Sequence, residues 1–332
     1  MSQPVSRPVI TIWAPDGVGE VGPGDDLADH LLPVVQPPSV ELVDGDVVCV
    51  TSKVVSKAEG RVEVGDRAEA IVRETRRLVA RRGPLSIVVN RLGLTIAAAG
   101  VDASNVESGR VLLLPEDPDA TARTLRAGLA DRLGVNVAVL VTDTAGRAWR
   151  EGQTDLAIGA AGVRVLDDHA GRVDHYGNTL TVTAPAVADE LAGAAELAAG
   201  KLGRRPFVLI RGRGDLVLPP GDDGPGAAAL LRPEGTDLFG VGSREAVTTA
   251  LRRAAGEQRV FGAPVDAAEL GDVLTGLLTG PTGAVVRLDQ EALEVGSDDP
   301  RAHWVAEVAA YAHGWVVTER DPSRIRLRPA AP

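Results

Sequence analysis

The stretch Gly45-Asp46-Val47-Val48-Cys49-Val50-Thr51 constrains the fold more than any other part of this chain. A continuous apolar, largely β-branched run of that length, opened by Gly-Asp, is typical of a buried strand. Residues 135 to 142 repeat the pattern, and shorter runs at 9 to 12, 85 to 89, 94 to 99 and 207 to 210 also read as strands. Helical periodicity covers 68 to 82, with an arginine-rich outer face, then 120 to 133 and 183 to 200, the last closed by Gly200. An amphipathic stretch begins near Leu27. This mixture predicts an α+β fold of mixed or antiparallel sheets with helices.

Aromatic residues make up only 3% of the 332 residues against 44% hydrophobic overall, so Val, Leu and Ala have to fill the core. The length exceeds one ordinary domain. The expected division puts residues 1–243 in the main domain and 244–332 in a small α+β module. In that module, 244 to 256 and 303 to 312 read as helices, and 284 to 288 and 315 to 318 as strands. No internal repeat, heptad array or Walker A sequence is present.

The net charge of -11 argues against a nucleic-acid partner, because polyanion binding relies on clustered Lys and Arg. A small phosphorylated ligand remains compatible where metal ions bridge the two negative partners. The single cysteine, Cys49, excludes an internal disulfide and reads as a small core residue. No stretch reaches about 20 apolar residues, and the amino terminus lacks the apolar segment of a signal peptide, so no membrane partner and a cytoplasmic location are expected.

Four segments next to apolar strands concentrate polar chemistry. Gly17 to Val21, followed by Pro23-Gly24-Asp25-Asp26, offers free backbone donors to a phosphate, or simply an acidic helix cap. The basic segment from Ser52 to Arg61 reads as a loop in which Ser52, Lys53, Ser56 and Lys57 grip phosphate oxygens, or as a solvated basic surface. Ala97-Ala98-Ala99-Gly100-Val101-Asp102-Ala103-Ser104-Asn105 is a crowded backbone delivering hard oxygen ligands, or a turn capped by Asp and Asn. The fourth, 141 to 155, reads as a strand ending in Asp143-Thr144, whose carboxylate and hydroxyl can share one cation. Arg147 and Arg150 there suit a phosphate or carboxylate clamp, and a structural hydrogen-bond network accounts for the same letters. The group Asp167, Asp168, His169, Asp174 and His175 matches no zinc spacing and reads better as a polar turn.

In order along the chain, TSKVVSKAEGR, AAAGVDASNV, VTDTAGRAWREGQTDLAIGAAGV, HYGNTLTVTAPAVADELAGAAELAAGK and LLRPEGTDLF resemble the coenzyme F420-0:γ-glutamyl ligase family over roughly residues 9 to 240. The resemblance implies a GTP-dependent ligase that adds L-glutamate to coenzyme F420-0 and lengthens the γ-linked tail, releasing GDP and phosphate. It implies two divalent ions, Mg²⁺ or Mn²⁺, on Asp102, Asp143 and Thr144, and leaves K⁺ open. Val18, Gly19, Glu20, Val21, Ser52, Lys57 and Asn105 then contact the guanine nucleotide, with Lys57, Arg147 and Arg150 as catalytic candidates. Relatives are intertwined homodimers, which implies a homodimer here.

Two departures stand out: Leu92 replaces a His found in many relatives, and Val18-Gly19 replaces their Leu-Pro. The segment GSREAVTTALRRA resembles the entry to a flavin-binding nitroreductase-like domain of some actinobacterial relatives. Too few residues follow for that complete fold, so no FMN site is expected. Two other readings stay open: a GTP enzyme joining an amino acid to another acidic cofactor, and a nucleotide-binding regulator of low activity.

Overall fold

The computed structural model describes residues 9–36, 40–103, 107, 109–278, 283–289 and 292–330. In chain order, the elements begin with β1 (Thr11–Trp13), α1 (Leu27–Leu31), β2 (Val47–Thr51), α2 (Ser52–Ala58) and β3 (Val62–Val64). There follow α3 (Arg67–Glu74), β4 (Thr75–Arg82), β5 (Leu85–Asn90), β6 (Thr95–Ala97) and β7 (Arg110–Leu112). After these come α4 (Pro118–Leu133), β8 (Ala138–Arg147), β9 (Arg150–Ala161), α5 (Val187–Ala199) and β10 (Phe207–Arg211).

The chain forms two compact units, residues 1–76 with 89–231 and residues 77–88 with 232–332. This differs from the expected boundary at 243 in two ways: the division falls at Leu231, and part of an early hairpin joins the later unit. The cause is backbone pairing. Gly242 N–H donates to Val79 O at 2.8 Å, and Glu245 Oε1 accepts from Arg81 N–H at 3.1 Å.

The first unit is built on a five-stranded sheet of order β1-β10-β2-β8-β9. β2 and β8 run parallel, with Val47 opposite Ala138 and Thr51 opposite Thr142, and the other pairs are antiparallel. Successive strand residues point to opposite faces. Val48, Val50, Val139 and Val141 pack on one side with Leu31 of α1 and Leu125 and Leu129 of α4. Val47, Cys49, Ala138 and Leu140 pack on the other with Ala188, Leu191 and Ala195 of α5. Cover on both faces explains why these strands read as unbroken apolar runs. Asp117 caps α4 by accepting from Ala120 N–H, and Gly134 ends it in the left-handed conformation.

Three expectations change. The segment after Thr51 is the helix α2, whose inner stripe is Ser52, Val55 and Ser56, all buried; two of its buried positions carry hydroxyls, so the apolar stripe is hidden. The periodicity from 68 to 82 belongs to a helix only as far as Glu74. Thr75 turns extended at φ -89 and ψ 123, its Oγ1 donates to Ile71 O at 2.6 Å, and the arginine-rich remainder is β4. Finally, 141 to 155 is not a strand and loop but two long strands, β8 and β9, turning between Arg147 and Arg150.

The second unit contains α6 (Ser243–Arg252), α7 (Ala267–Leu278), β11 (Val285–Asp289), β12 (Ala292–Gly296), α8 (Pro300–Ala312), β13 (Trp315–Asp321) and β14 (Arg324–Pro329). Its four-stranded sheet has the order β11-β12-β14-β13, antiparallel throughout. Leu293, Val295, Ile325, Leu327 and Trp315 pack on Leu270, Leu274 and Leu278 of α7 and Ala302 and Ala306 of α8. Among the described residues, no helix is long and apolar enough to cross a membrane.

Candidate active site

Because β2 and β8 are parallel and in register, with Thr51 opposite Thr142, β2 ends beside the middle of the longer β8. Ser52, the residue after β2, is therefore beside Asp143 although 91 positions separate them: Ser52 Oγ donates to Asp143 Oδ1 at 2.7 Å. Ser52 is 2% exposed. Burial pushes the Asp143 carboxyl up to about 6; the Ser52 hydrogen bond and Lys53 oppose the rise, and the negative charge of Asp155 adds to it.

Lys53 Nζ lies 2.6 Å from Asp102 Oδ2. Asp102 is held by a backbone bridge to Leu112, with N–H to O distances of 3.0 and 2.8 Å. The chain reaches it through Ala98, Ala99 and Gly100, all at positive φ (51°, 57° and 78°). Two alanines in the left-handed region are strained, and such strain gathers where a backbone has to deliver a side chain to a set position. Gly100 is required twice over, since a Cβ there would meet Leu114 Cδ1 at 2.5 Å.

Thr144 faces the other way. A register shift between Val141 and Thr142 sets Asp155 opposite Thr144. Asp155 is 6% exposed and accepts from Thr144 Oγ1 at 2.7 Å and from Thr142 Oγ1 at 3.3 Å. Lys201, just after α5, completes this group: its Nζ is 2.5 Å from Thr144 Oγ1, 3.5 Å from Asp155 Oδ1 and 2.9 Å from Glu196 Oε1. Burial works against the Lys201 charge, but Glu196 and Asp155 outweigh it and raise its pKa.

A third group forms around Glu20, which accepts from Lys57 Nζ at 3.3 Å and Arg204 Nη2 at 2.8 Å. The Lys57 hydrogen bond, more than any other contact, holds the Glu20 carboxyl below its usual range. Val21 is buried in the first core and Val18 packs against it, which leaves Gly19 and Glu20 facing outward. Arg205 holds the same loop through Asp16 at 2.7 Å.

Asn105 lies outside the described residues. Arg147 and Arg150 pair with each other at the tip of the β8–β9 hairpin, beside Trp149, which is 86% exposed. Four residues of strand separate Arg147 from Asp143, about 13 Å at the usual rise per residue. The fold thus brings together Ser52, Asp143 and Asp102, with Lys53 between, and joins Glu20 to Lys57. It sets the two arginines apart. The group at 167–178 is a polar turn, in which Asp174 Oδ1 accepts from Tyr176 and Asn178 N–H at 2.9 and 2.8 Å.

Sequence reasoning missed Asp155, Lys201 and Arg204 as site residues, and placed Lys53 on phosphate rather than on Asp102. Asp155 sat inside a string already singled out. The cationic run Lys201-Leu202-Gly203-Arg204-Arg205, placed between a helix stop and a buried strand, was the available signal for the other two.

Among the described residues, no three His, Cys, Asp or Glu side chains form a metal cluster. The donors present are carboxylates and hydroxyls. Asp143 is a buried carboxyl raised in part by its neighbour Asp155, and a cation between or beside them relieves that repulsion. Hard oxygen donors of this kind fit Mg²⁺ or Mn²⁺.

The family described as F420-0:Gamma-glutamyl ligase matches residues 17–66 and 62–212. A protein of Methanopyrus kandleri named Coenzyme F420:L-glutamate ligase is 41% identical over 245 residues, covering 66% of this chain and 93% of its own length. Its namesake in Methanothermobacter thermautotrophicus is 35% identical over 254 residues, covering 69% of this chain and 98% of its own. Another in Haloarcula marismortui is 38% identical over 227 residues, or 60% and 86%. The matched residues contain Ser52, Asp102, Asp143, Thr144 and Lys201, and with them this chain belongs to the F420-0:gamma-glutamyl ligase family of enzymes.

Proposed function

We propose that this protein uses GTP to join L-glutamate to coenzyme F420-0 and then extends the tail through γ-linkages, releasing GDP and phosphate. Family membership carries the choice of reaction. The meeting of Ser52 with Asp143 and of Lys53 with Asp102 beside the carboxyl end of β2 supports the choice of place.

A carboxylate is a poor acyl donor until one oxygen becomes a leaving group. In the proposed route, an oxygen of the F420-0 lactyl carboxylate attacks the γ-phosphorus, the bond to the bridging oxygen breaks, and GDP departs. The glutamate amine then attacks the acyl carbon of that acyl phosphate. Phosphate leaves with the C–O electron pair, and the nitrogen gives up a proton.

Asp102, Asp143 and Thr144 would hold the two divalent ions, with K⁺ a candidate monovalent partner. When bound, the divalent ions supply positive charge to the transferring phosphoryl oxygens. Ser52 and Lys57 bind nucleotide phosphate, with Lys57 moving from Glu20 to a phosphoryl oxygen as charge develops there. The 18–21 loop and Asn105 complete the nucleotide contacts. Arg147 and Arg150, on the hairpin arm, hold the acidic ends of the substrates rather than the phosphate beside Asp143. The active species is a homodimer in the cytoplasm.

The test is mass spectrometry of F420-0 incubated with the protein, GTP, Mg²⁺ or Mn²⁺ and L-glutamate, beside an ATP control. Glutamate-sized additions that require GTP establish the reading and count the tail. GDP release without addition points to another acceptor, and absence of both products removes the ligase reading.

A further inference from the structure

We infer that Lys201 is an internal counter-cation that covers the Thr144–Asp155 pair in the metal-free protein and has to be displaced when a divalent ion binds there. This rests on the proposed role of Thr144 as a metal ligand and adds a residue that acts against the ion.

The hydrogen bonds decide it. A threonine hydroxyl has one proton to give and two lone pairs to offer. Thr144 gives its proton to Asp155 at 2.7 Å, which turns the lone pairs outward, the orientation a ligand to a cation needs. Lys201 Nζ sits on those lone pairs at 2.5 Å and within 3.5 Å of the same Asp155 oxygen. An ammonium thus already covers the Thr144 and Asp155 oxygens that would hold the ion.

The two sides of this contact differ in freedom. Asp155 is buried and anchored by two threonines, so it stays in place and favours a cation beside it. Lys201 carries its ammonium on a flexible stem, and its side chain is 58% exposed. It also has a second partner: Glu196, in the last turn of α5, already accepts from it at 2.9 Å. Displaced from Thr144, the ammonium keeps Glu196 and gains water. Exchange of one cation for another at Asp155 therefore leaves no buried charge uncompensated.

The experiment titrates Mn²⁺ alone, without nucleotide, into the full-length protein and reads free Mn²⁺ by electron paramagnetic resonance. Lys201→Met and Lys201→Gln should each tighten a Mn²⁺ site by about tenfold, the size expected for releasing one partly exposed charge-assisted contact. Asp155→Asn combined with Lys201→Met should lose that gain. Unchanged or weaker Mn²⁺ binding in both neutral variants overturns the inference. Absence of Mn²⁺ binding to every protein overturns it together with the metal role of Thr144. GTP-dependent glutamate addition, followed by mass in the same preparations, shows independently whether the ligase reading stands.

Discussion

Replacing Asp143 by Asn should make the metal-free protein more stable and inactive at the same time. The carboxyl is raised from 3.8 to about 6, chiefly by burial. A gap of about two pKa units corresponds to about 3 kcal/mol of differential interaction between its two protonation states. The unfolded chain binds this proton only below its ordinary range, near pH 4, whereas the folded protein holds it up to about 6. Between those values the folded state carries more protons, so raising the pH through the window lowers stability, and the loss is complete above about pH 7. Asn has no proton to lose and can still accept from Ser52. The advantage of Asp143→Asn should be close to zero at pH 4 and grow to about 2 kcal/mol at pH 7.5, after allowance for residual solvent contact. Urea midpoints at pH 4, 5, 6 and 7.5 in the presence of a chelator measure it. An advantage that does not change with pH, or a wild-type protein that is the more stable at pH 7.5, refutes the reasoning. Added Mn²⁺ should raise the midpoint of the wild type more than that of the variant, since the variant loses one of its carboxylate ligands and gains less from mass action.

Cys49 should resist a thiol reagent at pH 8 until the protein unfolds, because burial pushes its thiol up to about 12; rapid labelling of the folded protein contradicts that placement. Arg126→Met should cost about 3 to 5 kcal/mol in urea unfolding, since the buried guanidinium donates to Val137 O, Asp222 O, Asp223, Asn136 and Pro219 O at 2.7 to 3.1 Å, and all of these lose their partner. Gly159→Ala should lower stability in urea unfolding by about 3 kcal/mol as well, the upper end for overpacking. A Cβ there meets Pro118 O at 2.4 Å, and a variant of wild-type stability places α4 farther from β9 than described.

The parts legible in the sequence were those that carry a one-dimensional signature. β2 and β8 announced themselves because both faces are buried, and α4 because helical periodicity runs unbroken from 120 to 133. What failed had its pattern masked by polar residues. In α2, two of the inward positions are the serines Ser52 and Ser56, so the helix read as a solvated loop. In β9, the polar stretch from Arg150 to Asp155 hid a strand whose second half is fully covered. The turn from α3 into β4 comes at Thr75, with no Gly or Pro to mark it. The parallel pairing that puts Ser52 on Asp143 joins elements on either side of β3 to α4, a choice no local pattern records. Asp143 and Thr144 were legible because they end an apolar run; Lys201 was not, since its partners come from another strand pair.

Sequence order alone makes Asp143 and Thr144 look like two ligands of one ion. The pleat argues otherwise. Adjacent strand residues point to opposite faces, and the contacts follow that rule: Asp143 meets Ser52 on the side of α2, while Thr144 meets Asp155 and Lys201 beyond the end of α5. Each side has its own carboxylate, Asp143 on one and Asp155 on the other, and the two repel each other across the strand. Each side also has its own lysine, Lys53 against Asp102 and Lys201 against Thr144 and Asp155. A single cation on one face would leave the carboxylate on the other dependent on its lysine. Two cations, one to a face, would neutralise both and free both ammonium groups. The Asp143-Thr144 dipeptide of β8 is therefore better suited to dividing two ions than to chelating one, and a phosphate chain passing over that part of the strand would meet positive charge on either side of it.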